Sequence, residues 1–118
     1  MIKSILSKDS KKAYQFMKLN PKQISHLRGI AHNLSPVVMI ADKGLTENVI
    51  KEIESALNSH ELIKIKVAGD DRDVRKAIYT DICEKTNAVA VHQIGKQLVV
   101  YRASETIKEK HKIHIPKL

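Results

Sequence analysis

Residues 36–67 read PVVMIADKGLTENVIKEIESALNSHELIKIKV, a strand, a turn, a helix and a second strand in direct succession. Val37-Val38-Met39-Ile40 is a short apolar run behind Pro36, which fits a buried strand. Ala41-Asp42-Lys43-Gly44 supplies the turn, and Thr46 is an N-cap for the helix that follows. That helix turns Val49, Ile50, Ile53 and Leu57 to one side, and Glu47, Lys51, Glu52 and Glu54 to the other. Residues 62–67 then alternate, with Ile63, Ile65 and Val67 facing inward and Lys64 and Lys66 outward. Strands joined in succession through helices imply right-handed crossovers.

Outward from this stretch the same logic repeats. On the N-terminal side, Asn20-Pro21 opens a helix, because Asn caps well and Pro at the first helical position loses no needed hydrogen bond. Ile24, Leu27, Ala31 and Leu34 share one face of it, Lys22, His26, Gly29 and Asn33 share the other, and Pro36 is expected to end it. On the C-terminal side, Gly69 breaks the chain and Asp70 or Asp71 caps a third helix with Val74, Ala77, Ile78 and Ile82 as its predicted buried stripe. Residues 88–94 and 97–102 are β-branched segments joined at Gly95-Lys96, a tight hairpin. The expected order is α-β-α-β-α-β-β: an α/β (α+β) domain with three helices and a four-stranded mixed sheet. The second and third helices lie on the same or on opposite faces. The Lys64 and Lys66 alternation predicts one covered and one open sheet face. An open face bearing two lysines is either a ligand surface or simply a soluble one.

The 118 residues are 42% apolar and 29% charged, which supplies one core and excludes a wholly disordered chain. With one Phe, three Tyr and no Trp, that core must be aliphatic, and aromatic platforms for stacked bases are nearly absent. No stretch approaches the ~20 apolar residues of a membrane-spanning helix, and the Lys-rich first twenty residues are no secretory signal. The single Cys83 excludes an internal disulfide and a thiolate metal cluster, which fits a reducing, cytoplasmic setting. His26, His32, His60, His92, His111 and His114 have no metal-ligand spacing, and no catalytic motif occurs, so neither cofactor nor catalysis is expected.

Charge is the strongest compositional feature. Twenty-one Lys and Arg against thirteen Asp and Glu give +8, the balance of a domain that meets a polyanion. Residues 1–20 hold +4 and residues 103–118 hold +2, so most of the excess lies on the flanks. The expected organisation is a basic extension over 1–18, a domain over 19–102 and a basic tail over 103–118. The turn at 41–44 before a helix N-terminus offers free backbone N–H groups, with Lys43 beside them. By itself that is an ordinary strand-to-helix connection.

Four segments carry a resemblance. LNPKQISHLRGIAH (19–32), PVVMIADKGLTENV (36–49), HELIKIK (60–66) and IGKQLVVYR (94–102) follow one another in order. Together they resemble the CRM domain (chloroplast RNA splicing and ribosome maturation), in its single-domain bacterial form, the YhbY family. The resemblance implies an RNA-binding domain acting on precursors of the large ribosomal subunit. It also implies a fold similar to the C-terminal domain of bacterial translation initiation factor three. It further implies a Gly-x-x-Gly loop like the one with which KH domains clamp RNA backbone. Here that loop is Ala41-Asp42-Lys43-Gly44. Ala41 replaces the first glycine, which disfavours positive φ and limits backbone approach, and Asp42 adds a negative charge. Lys22, His26, Arg28, Lys96 and Arg102 lie in the matched segments. With Lys64 and Lys66 from the sheet face, these complete the candidate RNA-binding set. The expected protein is a monomeric, non-enzymatic assembly factor whose partner is pre-rRNA and not a membrane. A module docking on a ribosomal protein is the alternative, and an RNA-modifying enzyme a poorer one.

Overall fold

The computed structural model describes residues 19–104, 107 and 112–115. Within them, α1 (Pro21–Ala31), β1 (Val38–Ile40), α2 (Glu47–His60), β2 (Leu62–Val67), α3 (Arg72–Thr86), β3 (Val89–Ile94) and β4 (Gln97–Tyr101) follow in the expected order. The strands form one mixed sheet in the order β1-β2-β4-β3. β1 pairs parallel to β2, and β4 pairs antiparallel to both β2 and β3. The basic extension over 1–18 lies outside the described residues.

Local chemistry explains the element starts. Asn20 and Gln23 form a reciprocal capping box ahead of Pro21, so two otherwise orphaned donors at the start of α1 are satisfied. The Thr46 hydroxyl accepts the Val49 amide at 3.2 Å to open α2. Of the two candidate caps for α3, Asp71 takes the role, accepting the Asp73 and Val74 amides at 2.9 and 3.1 Å.

Helices α2 and α3 share one face of the sheet. Ile53, Leu57 and Ile82 there close over Ile63, Ile65, Leu98 and Val100 in a wholly aliphatic core. The opposite face is covered by α1, where Leu27 and Ala31 meet Leu62, Val91, Val99 and Tyr101. Ile113 and Ile115, from the segment read as a tail, pack into this second cluster. Glu61 holds that segment. Its side chain is buried, and its carboxylate accepts the Ser104 amide at 2.6 Å and the Ile113 amide at 2.8 Å. Burial, with Glu61 close by as a second cause, pushes the Tyr101 hydroxyl up to about 12.

Three sequence expectations are corrected. Helix α1 stops at Ala31 rather than running to Pro36, because the Asn33 amide donates to the Ile30 carbonyl and the Leu34 amide to that of Ala31, tight bonds three residues back that close the last turn. The stripe on α3 is rotated. Val74 is 53% exposed, whereas Arg75 and Ile82 are buried and Tyr79 is half-buried. Polar reach sets this phase: Arg75 Nη1 donates to the Gly95 carbonyl at 3.2 Å, and the Tyr79 hydroxyl lies 2.5 Å from the Val99 carbonyl. Finally, Lys64 is only 5% exposed, because Leu34 and Val37 of the connection after α1 and Ile113 of the C-terminal segment gather around it. Lys66 remains exposed.

Candidate nucleic-acid interface

Parallel pairing of β1 with β2 brings three connections to one end of the sheet. The Ala68 amide donates to the Ile40 carbonyl and the Val67 amide to the Lys96 carbonyl, each at 2.8 Å. The 41–46 loop, the 68–71 turn and the Gly95-Lys96 hairpin therefore lie side by side. The loop is a closed turn, with the Gly44 amide donating to the Ala41 carbonyl at 2.9 Å. Gly44 has φ +74° and is the one loop residue in the left-handed region. A Cβ there would meet open space, so glycine is needed for its backbone angle and not for room. Ala41 stays at negative φ, and the turn does not require a glycine at that position. Ala41, Asp42 and Lys43 are all exposed.

The remaining candidates divide by surroundings. Lys96 is ion-paired to Asp70 at 2.8 Å, and this lysine holds the Asp70 carboxyl below its ordinary value. Lys22 is exposed in the first turn of α1, in the layer opposite α2. Arg28 is exposed, and its Nε donates to the Val91 carbonyl at 2.9 Å, at an irregularity in β3 between Ala90 and His92. The Tyr79 hydroxyl grips that irregularity from the other face, accepting the His92 amide at 3.2 Å. His26 Nε2 donates to the His114 carbonyl at 3.0 Å, which ties the C-terminal segment to α1.

Arg102 stands apart. Its guanidinium binds the Glu54 carboxylate, the Thr86 carbonyl at 2.8 Å and Asn58 Oδ1 at 2.9 Å, joining β4 to α2 and α3. It lies at the far end of β4 from Lys96, about 20 Å away at the usual rise per strand residue. The structure thus brings Lys43, Gly44, Lys66 and Lys96 together at one end and leaves Arg102 and Lys64 out. Sequence reasoning missed Arg75, whose buried Nε has no hydrogen-bond partner among the described residues. It also read Val37 and Met39 as part of a buried strand and overlooked Ile94, whereas they are exposed at 52%, 59% and 43%, Met39 and Ile94 on the face that bears Lys66. Cys83 is half-buried, and burial pushes its thiol up to about 11, well above the range of a reactive thiolate.

The fold is that of a small α+β domain with a short glycine turn, and the exposed Lys43, Lys66 and Lys96 share one sheet end with the exposed Asp42, Asp70 and Asp71. Comparison with known proteins identifies its family. The CRS1/YhbY (CRM) domain model matches residues 19–102, and the chain belongs to this family. An RNA-binding protein of Haemophilus influenzae is 53% identical over 90 residues, which span 76% of this chain and 91% of that protein. A Pseudomonas aeruginosa protein, named a probable RNA-binding protein, is 44% identical over 86 residues, 73% of this chain and 83% of the relative. The solution structure of a hypothetical protein from Staphylococcus aureus, described as a candidate RNA-binding protein, superposes with a TM-score of 0.71 at 38% identity. That match covers 83% of this chain and 99% of the other.

Proposed function

We propose that this chain binds RNA through the loop end of its sheet and acts, without catalysis, as an assembly factor on precursors of the large ribosomal subunit in the cytoplasm. The observation that carries the reading is the cluster of Lys43, Gly44 and Lys66 at one sheet end in a family whose relatives are named RNA-binding proteins. Chemically, the loop supplies a lysine and backbone amides, which suit phosphate oxygens. Lys22 and Arg28 on α1 add exposed cations on the second layer. With so few aromatics, most of the affinity comes from phosphate contacts, so binding weakens steeply with salt.

The test has two arms. Titration of the full chain against fragments of large-subunit precursor RNA and an unrelated RNA of equal length measures binding and its preference. Sedimentation of tagged protein at low magnesium then reads whether it travels with large-subunit precursors. Binding without co-sedimentation removes the assembly role, and absence of binding removes the whole reading. Co-sedimentation that survives loss of RNA binding points to a ribosomal protein as the partner.

A further inference from the structure

The register of the four strands aligns Met39 of β1 with Lys66 of β2, Lys66 with Gln97 of β4, and Gln97 with Ile94 of β3. Paired residues in neighbouring strands point to the same face. The four side chains therefore form one row across the whole sheet, on the side away from α2 and α3. Strands lie about 4.8 Å apart, so the row is about 14 Å long. Helix α1 covers the neighbouring half of this face and leaves the row open. Met39 is 59% exposed, Ile94 is 43% exposed, Lys66 is exposed and Gln97 half-buried. Val37, two residues before Met39 and 52% exposed, extends the apolar end. Of the four large hydrophobic side chains exposed among the described residues, three are thus gathered here.

We infer that the Met39-Lys66-Gln97-Ile94 row is a bed for unpaired RNA nucleotides, an inference that rests on the RNA-binding reading above. The row is apolar at both ends, cationic and amide-bearing in the middle, and contains no acid. Unpaired nucleotides have the matching chemistry. Their base faces pack on a thioether or an aliphatic chain, their edges accept and donate to an amide, and their phosphates meet the lysine. A duplex hides its base faces and gains nothing from Met39 or Ile94. An apolar protein partner would bury Lys66 without a counter-charge. The row also begins two residues before the Ala41–Gly44 turn, so an RNA strand on it runs directly to Lys43.

The test uses the full chain, with fluorescence anisotropy against a single-stranded oligonucleotide and a blunt duplex of the same length. Both apolar positions are exposed, so Met39→Ser with Ile94→Ser should fold, which thermal melting checks. The double variant should bind the single strand about five- to tenfold more weakly, below the scale of aromatic stacking, and bind the duplex within about twofold of the parent. Lys66→Glu should weaken binding to both. Equal losses on the two RNAs, or no loss on either, overturn the row as a bed for unpaired bases while leaving RNA binding intact. A parent chain that binds neither probe overturns the RNA-binding reading itself.

Discussion

At one end of the sheet, Arg102 holds Glu54, Asn58 and the Thr86 carbonyl, and the buried Glu61 carboxylate holds the amides of Ser104 and Ile113. At the other end, Lys43 and Lys66 face solvent, and Lys96 has only the exposed Asp70. Both ends are rich in charged residues, yet one set closes the fold and the other is left to solvent. The difference lies in what the chain brings within reach. Helix α2 and the C-terminal segment deliver carboxylates, amides and carbonyls to the Arg102 end. The loop end receives short turns, and the acid that reaches a lysine there is the exposed Asp70. A basic residue in a matched motif is therefore no sign of an interface until its neighbours are known.

The most severe break of this contrast is at Glu61. Glu61→Leu strands one buried and one half-buried amide, so urea unfolding should show a loss of about 3 kcal/mol. The RNA affinity of the folded protein should stay unchanged. A loss below about 1 kcal/mol would mean that the C-terminal segment is not held there.

Arg102→Met comes next. It removes the guanidinium's four hydrogen bonds but keeps the apolar stem, and about 2 kcal/mol of stability should be lost in the same assay. Its affinity for RNA should remain within about twofold. Should the affinity instead fall as far as for a loop lysine, the two ends act together and the contrast collapses.

Lys43→Glu should have the opposite profile. RNA binding weakens by about 1 kcal/mol, on the scale of one charge-assisted contact, while the melting temperature does not move. Unchanged affinity removes the loop from the interface.

The mildest change is Ala41→Gly. Extra freedom in the unfolded chain should lower stability by up to about 1 kcal/mol. Because Ala41 already sits at negative φ, RNA affinity should not change. A clear gain in affinity would show that RNA pulls the turn into a form closer to the family's two-glycine loop.

Much of the architecture was legible because it depends on neighbours in sequence. The Asn20-Pro21 and Thr46 caps, the β2 alternation and the Gly95-Lys96 turn are local chemistry. The parallel β1–β2 pairing follows from the crossover. What escaped depends on distance along the chain. Alternation put Lys64 opposite Ile63 but said nothing of Leu34, Val37 and Ile113 arriving around it. Apolar spacing favoured Val74 in the α3 stripe, whereas partners on β3, β4 and the hairpin drew Tyr79 and Arg75 inward. Within the candidate site, Lys43 and Gly44 could be read directly. Met39 and Ile94 could not, since their alignment exists only once all four strands are in register.

The edges of the sheet bear on how copies of this domain tolerate crowding. β1 is three residues long, and β3 is interrupted between Ala90 and His92 where Tyr79 and Arg28 grip it from opposite faces. A short edge gives an incoming strand too small a ladder, and a bulged edge breaks the ladder midway. Molecules concentrated along one polyanion can then come close without zipping into a shared sheet. Straightening β3 would put that tolerance at risk before it touched the folded state of a single molecule.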